Sequence, residues 1–87
     1  MPSVICQVVN KKGMHARAAA KIVELVSGYD CEVSLTHQQT TAAGNSLLKL
    51  LTLNAPKGSQ VTINAEGKNC SKLLKELSAL FQQGFGE

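Results

Sequence analysis

Gly13, His15 and Arg17 are the residues whose types and spacing could do chemistry in this chain. His15 lies where a glycine-containing turn meets a run of alanines. The first turn of a helix there would leave backbone N–H groups unpaired and partly positive, which favours a bound phosphate. An arginine two residues later could pair with that phosphate, and an imidazole is a nucleophile near neutral pH. The segment therefore suggests phosphoryl chemistry on His15, although a histidine at a helix start is more often only a tolerated polar residue.

The sequence around His15 favours a carrier over an enzyme. No carboxylate stands near it to act as a strong base, and the chain has no glycine-rich loop of the kind that holds ATP. His37, the second histidine, falls in a polar turn and is expected on the solvated surface. With two histidines and no carboxylates at metal-ligand spacing, we expect neither a metal site nor a cofactor.

Hydrophobic periodicity predicts the elements that must position His15. Alternating apolar residues indicate strands over about residues 3–10, 31–36, 40–43 and 60–65. Helical spacing indicates helices over about residues 16–27, 47–53 and 70–83, with Gly28 and Gly84 at the ends of the first and third. Ser46 is the expected N-cap of the middle helix, because its hydroxyl can accept from backbone N–H groups.

The order of these elements, β-α-β-β-α-β-α, predicts a single α+β domain over residues 1–87. Each strand has one apolar face and each long helix one apolar stripe. We therefore expect a two-layer sandwich, in which a four-stranded antiparallel sheet carries three helices on one face. The other sheet face, with Gln7, Ser34, Thr36 and Thr62, can face water.

Composition argues against several other classes of protein. The net charge of +3 is dispersed, with no run of like charges typical of a nucleic-acid arm, and the predicted strands carry no aromatic residues to stack on RNA. No apolar run approaches the roughly 20 residues that cross a bilayer, and the first residues do not resemble a signal peptide. Because the cysteines are odd in number and widely spaced, we expect reduced, mostly buried thiols in a cytoplasmic protein, with no disulfide framework: Cys6, Cys31 and Cys70.

The segment GMHARAAAKI, residues 13–22, resembles the active-site signature of the histidine-containing phosphocarrier (HPr) family, G-[LM]-H-[AT]-R-P-A. The segments NSLLKLLTL and KGSQVTINAEG and the last helix also fall where the family has them. The resemblance thus covers essentially the whole chain and implies the family's open-faced β-sandwich. It departs at Ala18, where the family usually has proline. Alanine is an excellent helix former, so we expect the helix to persist with a less rigid entry.

The resemblance implies that enzyme I, charged from phosphoenolpyruvate, phosphorylates His15 on Nδ1. The group would then pass to EIIA domains for sugar uptake or regulation, so the protein would be a substrate of phosphotransferases and no enzyme itself. Arg17 would be the charge partner of the phosphate, and the backbone N–H groups of Ala16, Arg17 and Ala18 would point at it. A monomer is expected of a carrier that must expose its site.

The middle helix gains two further roles from the resemblance. The serine matching Ser46 is, in many bacteria, phosphorylated by an ATP-dependent HPr kinase/phosphorylase, which is compatible with its N-cap role. The helix also has more leucines than it can bury, and an exposed apolar patch often marks a docking surface. The residues expected to meet enzyme I and EIIA domains are Lys21, Leu47, Leu48, Lys49 and Leu51.

Two questions stay open at this point. LFQQGF near the C-terminus and Asn45-Ser46 favour the nitrogen-related branch of the phosphotransferase system, whereas SLLKLLTL and TINAEG look equally like a sugar-branch carrier. The alternative from another class is a non-catalytic ligand- or regulator-binding α/β module. A third possibility is a carrier homologue that keeps the fold but only binds regulators, and the presence of both His15 and Arg17 argues against it.

Overall fold

A computed structural model describes residues 2–86, which contain four strands and three helices in the predicted order. The strands are β1 (Ser3–Gln7), β2 (Cys31–His37), β3 (Thr40–Ala43) and β4 (Gln60–Gly67). The helices are α1 (Ala16–Ser27), α2 (Leu47–Leu51) and α3 (Cys70–Gln82), and a 3-10 turn follows over Gly84–Gly86. The main differences from the prediction are an earlier end of β1, a longer β4 and a shorter α2.

The strands form one antiparallel sheet in the order β1-β4-β2-β3. β4 lies in the interior and pairs with β1 through Cys6 opposite Val61, and with β2 through Leu35 opposite Ile63. β2 and β3 form a hairpin whose turn begins at Gln38, with a positive φ of 57°. The α+β sandwich predicted from the sequence is confirmed.

The core lies between one face of this sheet and the helices. Its largest fully buried side chains are almost all aliphatic, as the composition predicted: Phe81, Phe85, Ile22, Leu35, Leu50, Leu53, Ile63, Leu73, Leu77, Val8 and Val61. The opposite face is polar and partly exposed, also as predicted. It nevertheless carries one large apolar side chain, Ile5, which is 65% exposed and lies opposite Thr62 in the sheet register.

The C-terminal turn closes the core beneath α3. Gln83 is the C-cap, and Gly84 follows it with a φ of 62°. The chain thereby turns Phe85 back against Phe81, with ring centroids 4.8 Å apart in an edge-to-face arrangement. Lys21 of α1 donates from Nζ to the backbone oxygen of Phe85, which ties the turn to the first helix.

The cysteines contradict the prediction of three reduced thiols. Cys31 at the start of β2 and Cys70 at the start of α3 form a disulfide, with Cα atoms 6.0 Å apart. Although 39 residues separate them in sequence, β4 brings them together, because Cys31 lies opposite Gly67, close before Cys70. Cys6 alone is free and buried, as expected. Burial raises the pKa of the Cys6 thiol, and a hydrogen bond to Ser78 partly opposes that shift.

The prediction that His37 is a solvated surface residue is also wrong. It is the last residue of β2 and is half-buried. Its Nδ1 lies 2.8 Å from the backbone oxygen of Leu53. The ring therefore joins the end of β2 to the segment that follows α2. Hydrophobic periodicity predicts single helices and strands, so it could not predict this contact between two of them.

Candidate phosphoryl-accepting site

The turn Asn10–Met14 holds the start of α1 in place through hydrogen bonds on two sides. Asn10 is buried, and its Nδ2 donates to the backbone oxygen of Gly13 at 2.8 Å. The N–H of Gly13 donates back to the oxygen of Asn10 at 3.2 Å. The N–H of Met14 donates to the oxygen of Ala55 at 2.8 Å, so the turn is also fixed to the chain beyond α2. His15 thus projects from a restrained loop.

Gly13 is required by both its conformation and its surroundings. Its φ of +67° is one that L side chains rarely adopt. A Cβ atom there would lie 2.4 Å from the oxygen of Ala55 and 2.9 Å from Cα of Pro56. The sequence suggested a tight turn at this glycine. The structure adds that the absence of a side chain allows the turn to approach residues 55–56.

His15 is the N-cap of α1, in extended conformation with φ −119° and ψ −179°. Its Nδ1 accepts a hydrogen bond from the backbone N–H of Arg17 at 3.2 Å. The first intrahelical bond runs from the N–H of Ala19 to the oxygen of His15 at 2.9 Å. Because Nδ1 is an acceptor, it carries a lone pair, and the proton of the neutral ring lies on Nε2. Nδ1 and its lone pair therefore face the start of the helix.

The electrostatics of this helix start favour an anion. α1 has 12 residues and no acidic side chain in its first turn, so nothing in that turn offsets the positive end of the dipole. Ala16 and Arg17 are exposed, whereas Ala18 is fully buried. Three residues were predicted to direct their backbone N–H groups at the phosphate. Two of them, Ala16 and Arg17, are accessible to solvent, and the third, Ala18, is not.

α2 divides its leucines between the core and the surface, as predicted. Leu50 and Leu53 are buried, whereas Leu48 is 77% exposed and Leu47 is 40% exposed. Leu51 is half-buried, and Lys49 beside these residues is exposed. We call Leu47, Leu48 and Leu51 the leucine patch. α2 packs against α1, and the chain just after α2 bonds the turn before His15, so the patch and the imidazole lie on adjacent elements.

Two other predicted residues are placed as follows. Ser46 is the N-cap of α2, and its hydroxyl accepts from the N–H of Lys49 at 3.3 Å, which confirms the capping prediction. Lys21 was predicted beside the leucine patch. Its ammonium instead donates to the oxygen of Phe85, on the C-terminal turn.

Sequence reasoning missed three residues that position His15. Asn10 was placed only at the end of the first predicted strand, and Met14 and Ala55 were given no role at all. The asparagine beside a glycine-containing turn was a usable signal, since asparagine side chains often bond nearby backbone. The bond between Met14 and Ala55 had no local signal, because it depends on how α2 packs.

Two features are absent from residues 2–86. No helix among them is both long and apolar enough to cross a membrane. The same residues contain no group of three or more histidine, cysteine, aspartate and glutamate side chains that could hold a metal ion.

The chain is similar to known phosphocarrier proteins. Residues 3–83 match the family described as PTS HPr component phosphorylation site. Phosphocarrier protein NPr of Escherichia coli is 43% identical over 82 residues, covering 93% of this chain and 91% of that protein. Phosphocarrier protein HPr of Chlamydia muridarum is 34% identical over 85 residues, covering 98% of this chain and 82% of that protein. The crystal structure of HPr from Thermoanaerobacter tengcongensis superposes with a TM-score of 0.93 at 29% identity, covering 100% of this chain and 98% of the other.

Proposed function

This chain belongs to the HPr family of phosphocarriers of the phosphotransferase system, and on that premise we propose that it carries a phosphoryl group on Nδ1 of His15. One observation carries the proposal: Nδ1 accepts from the first-turn N–H of Arg17, which places its lone pair at the positive end of α1. Enzyme I is the proposed donor, and an EIIA domain is the proposed acceptor.

Transfer to His15 requires a new bond between Nδ1 and phosphorus, while the bond from phosphorus to the donor breaks. The ring proton stays on Nε2. The N–H of Arg17, which Nδ1 gives up as an acceptor, then has a phosphate oxygen to donate to. The guanidinium of Arg17 is on the same exposed turn and balances the added negative charge. The groups proposed to hold the phosphate, the backbone N–H and the guanidinium of Arg17, both belong to the first turn of α1, so the proposed transfer requires no rearrangement of the fold.

The leucine patch, with Lys49 at its edge, is the proposed docking surface for both partners. It is an exposed apolar surface on α2, which packs against α1, the helix that begins beside His15. Lys21 is left out of this surface because the C-terminal turn engages its ammonium. Ser46 as the target of an HPr kinase/phosphorylase remains a prediction. Its hydroxyl is half-buried and holds the cap bond of α2, which a kinase would have to displace.

Of the two branches, we favour the nitrogen-related one. The identity to NPr of Escherichia coli is 43%, against 34% to HPr of Chlamydia muridarum. The C-terminal segment LFQQGF, which forms the end of α3 and the terminal turn, points the same way. A cytoplasmic location and a monomeric state remain predictions.

The decisive experiment is intact mass spectrometry after incubation with phosphoenolpyruvate, magnesium and the enzyme I of each branch in turn. We expect one acid-labile phosphoryl group, gained faster with the nitrogen-branch enzyme. His15→Ala should abolish the gain, and His37→Ala should retain it, because the second histidine holds only a structural contact. Nitrogen-15 NMR of the product distinguishes Nδ1 from Nε2 as the phosphorylated atom.

An enzyme I that phosphorylates another carrier but not this one would refute the proposal and favour the non-catalytic binding module. The docking surface is tested separately with Leu48→Glu, which should raise the KM of enzyme I for the carrier. Ile5→Glu is the matched control, because Ile5 is also largely exposed but lies on the open face of the sheet. Equal effects of the two substitutions would exclude the leucine patch as the docking surface.

A further inference from the structure

The pair Cys31–Cys70 is the reactive feature of the molecule that phosphoryl transfer does not use. It lies at the opposite end of α1 from His15, because Cys31 follows closely after the helix ends at Ser27. A helix of 12 residues is roughly 18 Å long. Chemistry at this pair is therefore spatially separate from chemistry at His15.

The backbone holds the two cysteines together independently of the bond between them. Cys31 is in register with Gly67, and the N–H of Lys68 donates to the oxygen of Asp30 at 3.0 Å. A Cβ atom on Gly67 would lie 2.6 Å from that same oxygen, so the two chain segments are in close contact. Because these contacts do not depend on sulfur, the thiols would stay adjacent after reduction and could close again.

The two cysteine residues are in unequal environments. Cys31 is half-buried and lines an open surface depression, which gives a small molecule access. Cys70 is buried, 5% exposed, and is the first residue of the 13-residue helix α3. Its first turn contains no acidic residue, and the side chain of Asn69 makes no capping hydrogen bond. A negative charge on the Cys70 sulfur would consequently be stabilised by the start of the helix.

We propose that Cys31 and Cys70 form a reversible thiol-exchange site for low-molecular-weight thiols and their disulfides, with Cys31 as the sulfur attacked and Cys70 as the leaving group. An incoming thiolate forms a bond to Sγ of Cys31, the Cys31–Cys70 bond breaks, and Cys70 departs as a thiolate. A second reagent thiolate then attacks the reagent sulfur of the mixed disulfide and releases Cys31. Two electrons pass from two reagent thiols to the protein, and the protein thiolates take protons from water.

The test is exchange of the full-length oxidised protein with glutathione, quenched with acid, alkylated in denaturant and mapped by peptide mass. Before reduction we expect one alkylatable thiol, Cys6, and after full reduction all three cysteines. In the intermediate, glutathione should be found on Cys31 and the alkyl group on Cys70. Glutathione found first on Cys70, or three alkylatable thiols after incubation with excess glutathione disulfide, would overturn the proposal.

Two single variants test the asymmetry without relying on the intermediate. With glutathione disulfide, Cys31 in Cys70→Ser should form the mixed disulfide about tenfold faster than Cys70 in Cys31→Ser, because it is the more accessible thiol. Circular dichroism confirms that both variants are folded. Equal rates in two folded variants would contradict the assigned direction of attack.

Discussion

α1 and α3 both begin with a first turn that lacks acidic residues, yet the two helix starts are built differently. At α1, the imidazole of His15 caps the helix by accepting from Arg17. At α3, Asn69 takes a left-handed conformation with φ 61° and makes no side-chain cap, and the next residue is buried in a disulfide. The positive end of a helix is common to both. What distinguishes the first is a half-exposed imidazole whose Nδ1 lone pair is directed at the backbone N–H of Arg17, together with the side chain of that arginine on the same turn.

The two helix starts are also restrained by different means. The loop before α1 is held by hydrogen bonds among Asn10, Gly13, Met14 and Ala55. The turn before α3 is held by the pairing of Gly67 with Cys31, by a backbone bond from Lys68 to Asp30, and by the covalent bond from Cys70 to Cys31. Disturbing one restraint should therefore leave the chemistry at the other end unchanged.

The covalent restraint at α3 should have the largest effect on stability. A disulfide between residues 39 positions apart lowers the conformational entropy of the unfolded chain, which stabilises the folded protein by about 4 kcal/mol. We expect Cys31→Ser/Cys70→Ser to lose about that much free energy of unfolding in urea, while the rate of His15 phosphorylation at 25 °C stays that of the parent. Reduced wild-type protein is the control, since it breaks the bond without a substitution. A matching fall in phosphorylation rate would show that the two ends are coupled.

Gly13→Ala should have the next largest effect, and it should act on both stability and transfer. Backbone strain and the clash with Ala55 together predict a loss of about 3 kcal/mol. Gly58→Ala is the matched control, because Gly58 also has a positive φ, +94°, but no heavy atom lies near its missing Cβ. It should cost only about 1 kcal/mol and leave phosphorylation unchanged. Equal losses would mean that strain alone, and not contact with residues 55–56, makes Gly13 necessary.

Arg17→Gln should slow phosphorylation without affecting the fold. The arginine is exposed, so its removal creates no cavity. Losing its charge-assisted bond to phosphate should lower kcat/KM for phosphorylation about tenfold, or about 1.4 kcal/mol. Steady-state transfer from enzyme I, at low and high salt, measures the effect. A deficit that does not shrink at high salt would argue against a charge interaction.

Substitutions at the N-caps of α2 and α3 should have the smallest effects on stability. Ser46→Ala removes an observed hydrogen bond to Lys49 and should cost about 1 kcal/mol. Asn69→Gly removes no cap bond and suits the left-handed backbone, so stability should stay within about 0.5 kcal/mol of the parent. Thermal unfolding of both variants measures the difference. If Asn69→Gly were the more damaging change, the start of α3 would depend on a side-chain contact that its backbone geometry does not require.

The sequence was sufficient for the elements and their order because each is amphipathic over its own length. α1 and β3 have the predicted bounds. That some leucines of α2, such as Leu48, are exposed while Leu50 is buried was predicted because a short helix cannot bury so many leucines. His15 and Arg17 could be proposed from the sequence because one short segment contains both the candidate nucleophile and its candidate charge partner.

The failures all concern contacts between distant residues. Cys31 meets Cys70 only through the register of β2 with β4, and His37 meets Leu53 only because α2 packs beside the hairpin. The bond from Lys21 to Phe85, which the sequence did not predict, likewise forms only after the C-terminal turn folds back onto the core. Cysteine spacing and the polarity of a turn contain no information on these contacts, since each is fixed by tertiary packing.

The hydrogen bond from Met14 to Ala55 has a consequence for synthesis of the protein. A ribosome releases β1 and the His15 segment first, yet β1 pairs only with β4, as in Ser3 opposite Asn64. The loop that presents the imidazole thus lacks its bond to Ala55 until the chain has emerged past α2, and β1 lacks its partner strand until β4 has followed. The proposed phosphoryl-accepting site is therefore among the first segments synthesised, yet its loop and strand are fully paired only after β4 has emerged, so a shorter nascent chain displays the histidine without the assembled site.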